Sequence, residues 1–193
     1  YFETRRNFLK FCTTAGLGAL AIACSRQGGE VLSASEKRLL KHTPTLPIIT
    51  WNRTKGDPGS VLRKKVRLAG SIQAKRLAHI DSLMRATLTK SGGVGLAAPQ
   101  VGLSRALFLV QLQTRDKEVI TCIDPKIIAM SSRTVDGYEG CLSIPGVGGT
   151  VARAESITIQ YTTMGGKRIT YNSQGWEARL FQHEYDHLSV TLY

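Results

Sequence analysis

The chain has few residues for cross-linking or for binding metal. Of its 193 residues, only 4 are cysteines and 4 are histidines. Cys12 and Cys24 lie in or beside a basic, apolar N-terminal stretch, which leaves Cys122 and Cys141 in the body, so no disulfide framework is implied. No apolar run in the body is long enough for a membrane-spanning helix, and no internal repeat organises the chain. Acidic residues are also scarce: 14 Asp and Glu stand against 26 Lys and Arg, a net charge of +12. The deficit is local. Residues 26–90 hold fourteen basic and four acidic residues, whereas residues 91–193 hold nine of each. A solvated basic face is the plainer explanation. The sharper one is attraction to ribosomal RNA or to anionic lipid. No aromatic–basic motif supports sequence-specific nucleic-acid binding.

The length suits one domain with a real core. Apolar alternation predicts strands at Ala106–Leu112, Val119–Ile123, Ser156–Tyr161 and Arg168–Tyr171. Helical spacing predicts one helix over Ser71–Leu88 and another over Trp176–Leu188. The expected fold class is α+β, with antiparallel strands packed around a central helix that carries the histidine motif described next.

Against this scarcity, two of the four histidines stand together in Gln182-His183-Glu184-Tyr185-Asp186-His187. This is an H-E-x-x-H spacing. On a helix, residues i and i+4 share a face, so both imidazoles can reach one metal ion with Glu184 beside them. Such a site predicts a hydrolase in which the metal activates water and Glu184 moves the proton. Two surface histidines on a polar helix end are the plainer alternative. Few residues follow His187, so a third ligand is expected upstream. His79 lies in a helical stretch where a lone histidine is more often a surface or packing residue. Cys141 is the better candidate, in Tyr138-Glu139-Gly140-Cys141-Leu142-Ser143-Ile144-Pro145-Gly146, a segment expected to form a tight loop rather than strand interior. A buried cysteine acting as a small hydrophobe is its alternative. A third segment, Gly92-Gly93-Val94-Gly95-Leu96-Ala97-Ala98-Pro99-Gln100-Val101-Gly102, lacks the Gly-Lys-Ser/Thr ending of a phosphate loop. Its small residues suggest backbone pressed against a ligand, and the Gln100 amide can donate to a developing oxyanion.

Taken together, Gly93-Val94-Gly95-Leu96-Ala97-Ala98-Pro99-Gln100, Glu139-Gly140-Cys141-Leu142-Ser143 and Gln182-His183-Glu184-Tyr185-Asp186-His187 resemble, in order, the three motifs of the peptide deformylase family. Weaker similarity runs from about Ile48 onward, including Gly56-Asp57-Pro58 and Val61-Leu62-Arg63. The resemblance implies an N-formylmethionyl peptide or nascent chain as substrate. It implies Cys141, His183 and His187 as ligands of one divalent metal ion, Fe2+ first, with Zn2+, Ni2+ or Co2+ as substitutes. Glu184 would act as general base and then acid. The Gln100 side chain and the Leu142 backbone N–H would stabilise the oxyanion. Backbone near Gly95 and Leu96 would hold an extended peptide, and Leu142 and Leu180 would line the methionine pocket. Glu139 and Arg153 match a pair that supports the metal loop. Two positions depart from the pattern: Gly148, where many relatives carry arginine, and Val190, where glycine is common.

Residues 1–23 form a candidate leader. Thr4-Arg5-Arg6-Asn7-Phe8-Leu9-Lys10 matches a twin-arginine export pattern, the apolar stretch Phe11 to Ala23 follows, and Ala21-Ile22-Ala23 fits a cleavage site. Cys24 hints at a lipid anchor. Residues 24–47 read as a linker, and residues 48–193 as the catalytic domain. The leader points to the periplasm or cell envelope, whereas the family role belongs to the cytoplasm. Two rivals to the deformylase reading stand: a zincin-type endopeptidase, which needs a downstream ligand, and a degenerate member that binds peptide or metal without turnover.

Overall fold

The computed structural model describes residues 32–41, 43–51, 61–113 and 116–189. The leader, Cys24, His42, Gly56-Asp57-Pro58 and Val190 lie outside them. Its elements run α1 (Ala34–Leu39), β1 (Arg67–Leu68), α2 (Ala74–Ser91), β2 (Gly95–Ala97), β3 (Arg105–Gln111), β4 (Val119–Met130), β5 (Thr134–Cys141), β6 (Ile144–Ala154), β7 (Ser156–Thr162), β8 (Arg168–Gln174) and α3 (Gly175–Leu188). One six-stranded sheet has the order β1-β3-β4-β7-β8, with β2 also paired to β3; β5 and β6 form a separate two-stranded ribbon. All pairs are antiparallel except β1 with β3. The chain is therefore α+β.

β3 is buried on both faces, which explains its nearly continuous apolar run. Leu107 and Leu109 join the cluster with Leu77, Ile80 and Met84 of α2. Phe108 and Val110, pointing the other way, join Ala178, Leu180 and Phe181 of α3. The period of two along β3 thus assigns one helix to each face. Each fully buried Leu, Ile or Phe here contributes about 1.5–3 kcal/mol. α2 ends at Gly92, whose φ of 64° supplies the left-handed cap. α3 contacts β2, β3, β6, β7 and β8, so the histidine helix sits at the centre. Among the described residues, no helix is long and apolar enough to cross a membrane.

Three expectations change. β4 continues past Ile123 to Met130 across a register shift. Asp124, with a φ of 48°, and Pro125 interrupt the alternation without ending the strand. The Asp124 carboxylate accepts from the N–H groups of Ala69 (2.6 Å) and Gly70 (3.0 Å). The ribbon β5–β6 was not expected, and Cys141 closes its first strand rather than standing in a free loop. Ser143 and Leu142 make the turn, with Cys141 opposite Ile144. Finally, the stretch expected to be a linker joins the core from Leu32 onward. Leu32 and Leu46 are buried, and Ser33 and Glu36 form a reciprocal cap on α1. Glu36 then reaches the fully buried Arg105, at 2.9 Å to Nε and 3.1 Å to Nη2.

Candidate active site

α3 places His183 and His187 one turn apart, with ring centroids separated by 5.2 Å. The ribbon brings Cys141 to them. The ligand atoms of Cys141, His183 and His187 all lie within 4.8 Å of one another. A thiolate and an imidazole nitrogen on one tetrahedral ion stand roughly 3.5 Å apart, given bonds of about 2.3 and 2.0 Å. Cys141 Sγ and His187 Nε2 are 3.4 Å apart. His79, by contrast, is exposed on α2 and contacts the Leu40 carbonyl.

Burial alone would push the Cys141 thiol up. Hydrogen bonds from His183 and His187 and the charge of His187 outweigh it and hold the thiol down to about 5. For His183, burial opposes charging, but its bonds to Cys141 and Glu139 win and raise it to about 10. The trio therefore already favours a thiolate. His183 Nδ1 lies 3.0 Å from Glu139 Oε2, leaving Nε2 for a ligand bond. Glu139 is gripped in turn by Arg153, with Nε and Nη2 each 2.9 Å from one carboxylate oxygen. Burial opposes the charge on Glu139, yet these partners draw its carboxyl well below the usual range.

Glu184 is 2% exposed. Burial, partly offset by the two histidines, pushes its carboxyl up to about 7, the range in which a group both accepts and returns protons near neutrality. Its Oε2 and His187 Nδ1 are buried without a hydrogen-bond partner among the described residues. A buried carboxylate oxygen left open beside a thiolate and two imidazoles fits a divalent metal with a small polar ligand. Gly95 on β2 backs this carboxylate, and a methyl group there would sit 2.2 Å from Oε1. Gln100, 1% exposed, is fixed from both ends. Its Oε1 accepts from Ala97 N–H at 2.8 Å, while Nε2 donates toward Ser143 Oγ (3.3 Å) and Cys141 Sγ (3.5 Å). These groups open onto a cavity of about 590 Å³ whose wall includes Val94, Leu142, Leu180, Trp176, Tyr138 and Val147.

The polypeptide deformylase family profile matches residues 49–193. The chain belongs to the peptide deformylase family. It is 41% identical over 137 residues to the peptide deformylase of Symbiobacterium thermophilum, covering 71% of this chain and 62% of that protein, less than two thirds of its length. It is 41% identical over 138 residues to that of Halothermothrix orenii, covering 72% and 86%. The solved Met-Ala-Ser-bound peptide deformylase of Acinetobacter baumannii superposes with a TM-score of 0.67 at 31% identity, covering 77% of this chain and 96% of that one.

Cys141, His183, His187, Glu184, Gln100, Glu139 and Arg153, all expected from the sequence, come together in the structure. Three further supports have no signal in local sequence. Asp186 accepts from Arg153 Nη1 at 2.5 Å, continuing the grip on Glu139. Gln182 pairs through its amide with both backbone groups of Ala154, at 3.0 and 2.9 Å, pinning the end of β6 to α3. The segment 49–51 straps the site from outside, with Ile49 N–H bonded to Gln100 O and Trp51 N–H to Ser143 O, both at 2.7 Å. Asp186 and Gln182 were visible inside the motif, but nothing local revealed their partners.

Proposed function

We propose that this site hydrolyses the N-formyl amide of N-formylmethionyl peptides, releasing formate and a free methionyl amine. The observation that carries the reading is Glu184: a buried carboxylate poised near neutrality, with one oxygen open, beside a Cys-His-His trio at the end of a peptide-sized cavity. A divalent metal held by Cys141, His183 and His187 would supply Lewis acidity and a water nucleophilic at neutral pH. Thiolate and imidazole donors suit Fe2+, Zn2+, Ni2+ and Co2+; we assign Fe2+ as the working ion and the others as substitutes.

Glu184 takes the proton from the attacking water and delivers it to the departing amine. Gln100 Nε2 and the Leu142 backbone N–H donate to the oxygen that gains charge. Among the described residues, β2 pairs only with β3, which supports the reading that the Gly95–Leu96 backbone aligns an extended peptide as an added strand. Leu142 and Leu180 receive the methionine side chain. The Met-Ala-Ser bound to the Acinetobacter baumannii relative supports this peptide class. The experiment is formate release from formyl-Met-Ala-Ser by protein loaded anaerobically with Fe2+ and separately with Zn2+. Release that disappears in a metal-loaded Glu184→Ala variant supports the assignment; equal release in that variant ends it.

The basic region 26–90 is the proposed contact for ribosomal RNA or an anionic membrane. Both described acidic residues there, Glu36 and Asp81, are engaged internally, Asp81 by Arg85 at 2.8 Å. The Thr4–Lys10 pattern supports export of the folded enzyme. Fractionation of cells carrying Arg5→Lys and Arg6→Lys tests that route.

A further inference from the structure

The thiolate and the imidazoles stand on separate parts of the fold. Cys141 ends β5, and the β5–β6 ribbon shares no ladder with the six-stranded sheet. His183 and His187 ride on α3. Their mutual spacing therefore depends on what fastens the ribbon to the helix. Arg179, one turn before His183, makes the most extensive connection. Its Nη1 donates to Glu139 Oε1 at 2.7 Å, to Val151 O at 2.7 Å and to Gly137 O at 3.3 Å, while Nη2 donates to Val135 O. These acceptors are backbone carbonyls from both ribbon strands together with the carboxylate that holds His183. The Arg179 side chain is 14% exposed. The ribbon is also shaped around it: a methyl group at Gly137 would lie 2.7 Å from Cζ and Nε of the guanidinium.

We propose that Arg179 is a positioning residue that presets the metal site, clipping the Cys141 ribbon onto the histidine helix. The inference rests on the Cys-His-His metal reading above. A planar guanidinium offers five N–H donors in a fixed fork and can serve several carbonyls at once. A lysine ammonium reaches fewer. Loss of Arg179 leaves all three donors chemically intact and leaves Ala178 and Phe181 packed in the core. What changes is the position of Sγ relative to the two imidazoles.

The test uses the full chain loaded with Co2+, reading the thiolate-to-cobalt charge-transfer absorption, and separately measures Zn2+ affinity by chelator competition. In Arg179→Ala the absorption is expected to weaken or shift, and Zn2+ affinity to fall about 10–100-fold, the range for residues that orient metal ligands. Arg179→Lys should restore part of both. Gly137→Ala, which pushes the guanidinium aside without changing charge, should reproduce the loss, and it carries the test if Arg179→Ala does not fold. Arg133→Ala, which breaks only the exposed Arg133–Glu155 pair at 3.1 Å near the ribbon's base, should leave both readouts unchanged. Wild-type absorption and affinity within twofold in folded Arg179→Ala or Gly137→Ala overturn the proposal. Failure of the wild-type protein to bind either ion overturns the metal reading itself, and this inference with it.

Discussion

Gly95 lies so close to Glu184 that any β-carbon there would have to displace the carboxylate. A β-carbon at position 95 would stand 2.2 Å from Oε1, 2.7 Å from Cδ and 2.9 Å from a methyl of Leu180. The glycine of the upstream motif and the glutamate of the helix motif are thus two halves of one contact. Gly95→Ala should displace Glu184 and lower kcat by about 10²-fold or more, the scale of a misplaced general base. Metal content should be retained, since no ligand moves. Steady-state kinetics with metal analysis on the same sample checks this; loss of metal in parallel with activity would refute it.

Gln100 separates two roles that one substitution can divide. Gln100→Glu keeps an oxygen for the Ala97 N–H but removes the donor that points toward Cys141. The expected result is a fall in kcat of about 10²–10³-fold, the loss typical of one oxyanion donor. Gln100→Ala should add a stability loss of about 1–3 kcal/mol, because Ala97 N–H is then buried without a partner. Thermal denaturation of the two variants side by side distinguishes them.

Glu36 should give the fold an acid limb. Burial opposes its charge, but bonds from Arg105 and Ser33 prevail and hold the carboxyl at about 2 against an ordinary value of 4.5. A carboxyl depressed on folding stabilises fully above its unfolded value and loses that contribution as pH falls toward the folded one. The window here runs from about pH 5 down to about 2, and the shift corresponds to on the order of 3 kcal/mol. Glu36→Gln should flatten this part of the stability profile. Glu36→Ala, which removes the carboxylate paired with the buried Arg105, should cost about 3–5 kcal/mol. Urea denaturation between pH 3 and 7 reads both.

Tyr138 lies across Gly148. A β-carbon at 148 would stand 2.4 Å from the tyrosine oxygen and 2.6 Å from its Cζ. Gly148→Arg, the residue that many family members carry there, should force the phenol away from the mouth of the cavity. The expected change is larger in KM for formyl-Met-Ala-Ser than in kcat, because the groups that a β-carbon at 148 meets are the Tyr138 phenol and the Glu139 carbonyl rather than Glu184 or the ligand atoms. A β-carbon there would also stand 2.8 Å from the Glu139 carbonyl oxygen, so Tyr138→Ala combined with Gly148→Arg should relieve the phenol part of the clash and recover part of the stability lost by Gly148→Arg alone, read by thermal denaturation.

Much of the site is readable before folding because its spacing is short-range. His183 and His187 share a helix face by the geometry of 3.6 residues per turn, and Glu184 follows from the same helix. The helices α2 and α3 and the strands β3, β7 and β8 show in apolar periodicity, because one or both of their faces are buried. The β5–β6 ribbon does not. Most of its side chains face water, so it has no apolar period, and polar anchors hold it: Arg153, Arg179, Gln182 and Glu139. Asp124-Pro125 looks like a strand end and proves to be a bulge, because only the neighbouring strand β7 shows that pairing resumes.

Residue identity and local spacing therefore carry the proposed chemistry: a thiolate, two imidazoles, a glutamate and an amide donor, in motifs that fall in order along the chain. Tertiary structure decides which distant charges meet. Glu36 and Arg105, 69 residues apart, fix α1 to the sheet, and Arg179 reaches both ribbon strands. Gly95 meets Glu184 across two elements. Such pairings follow from how the strand order folds the ribbon over α3, and no local pattern of residues carries that information.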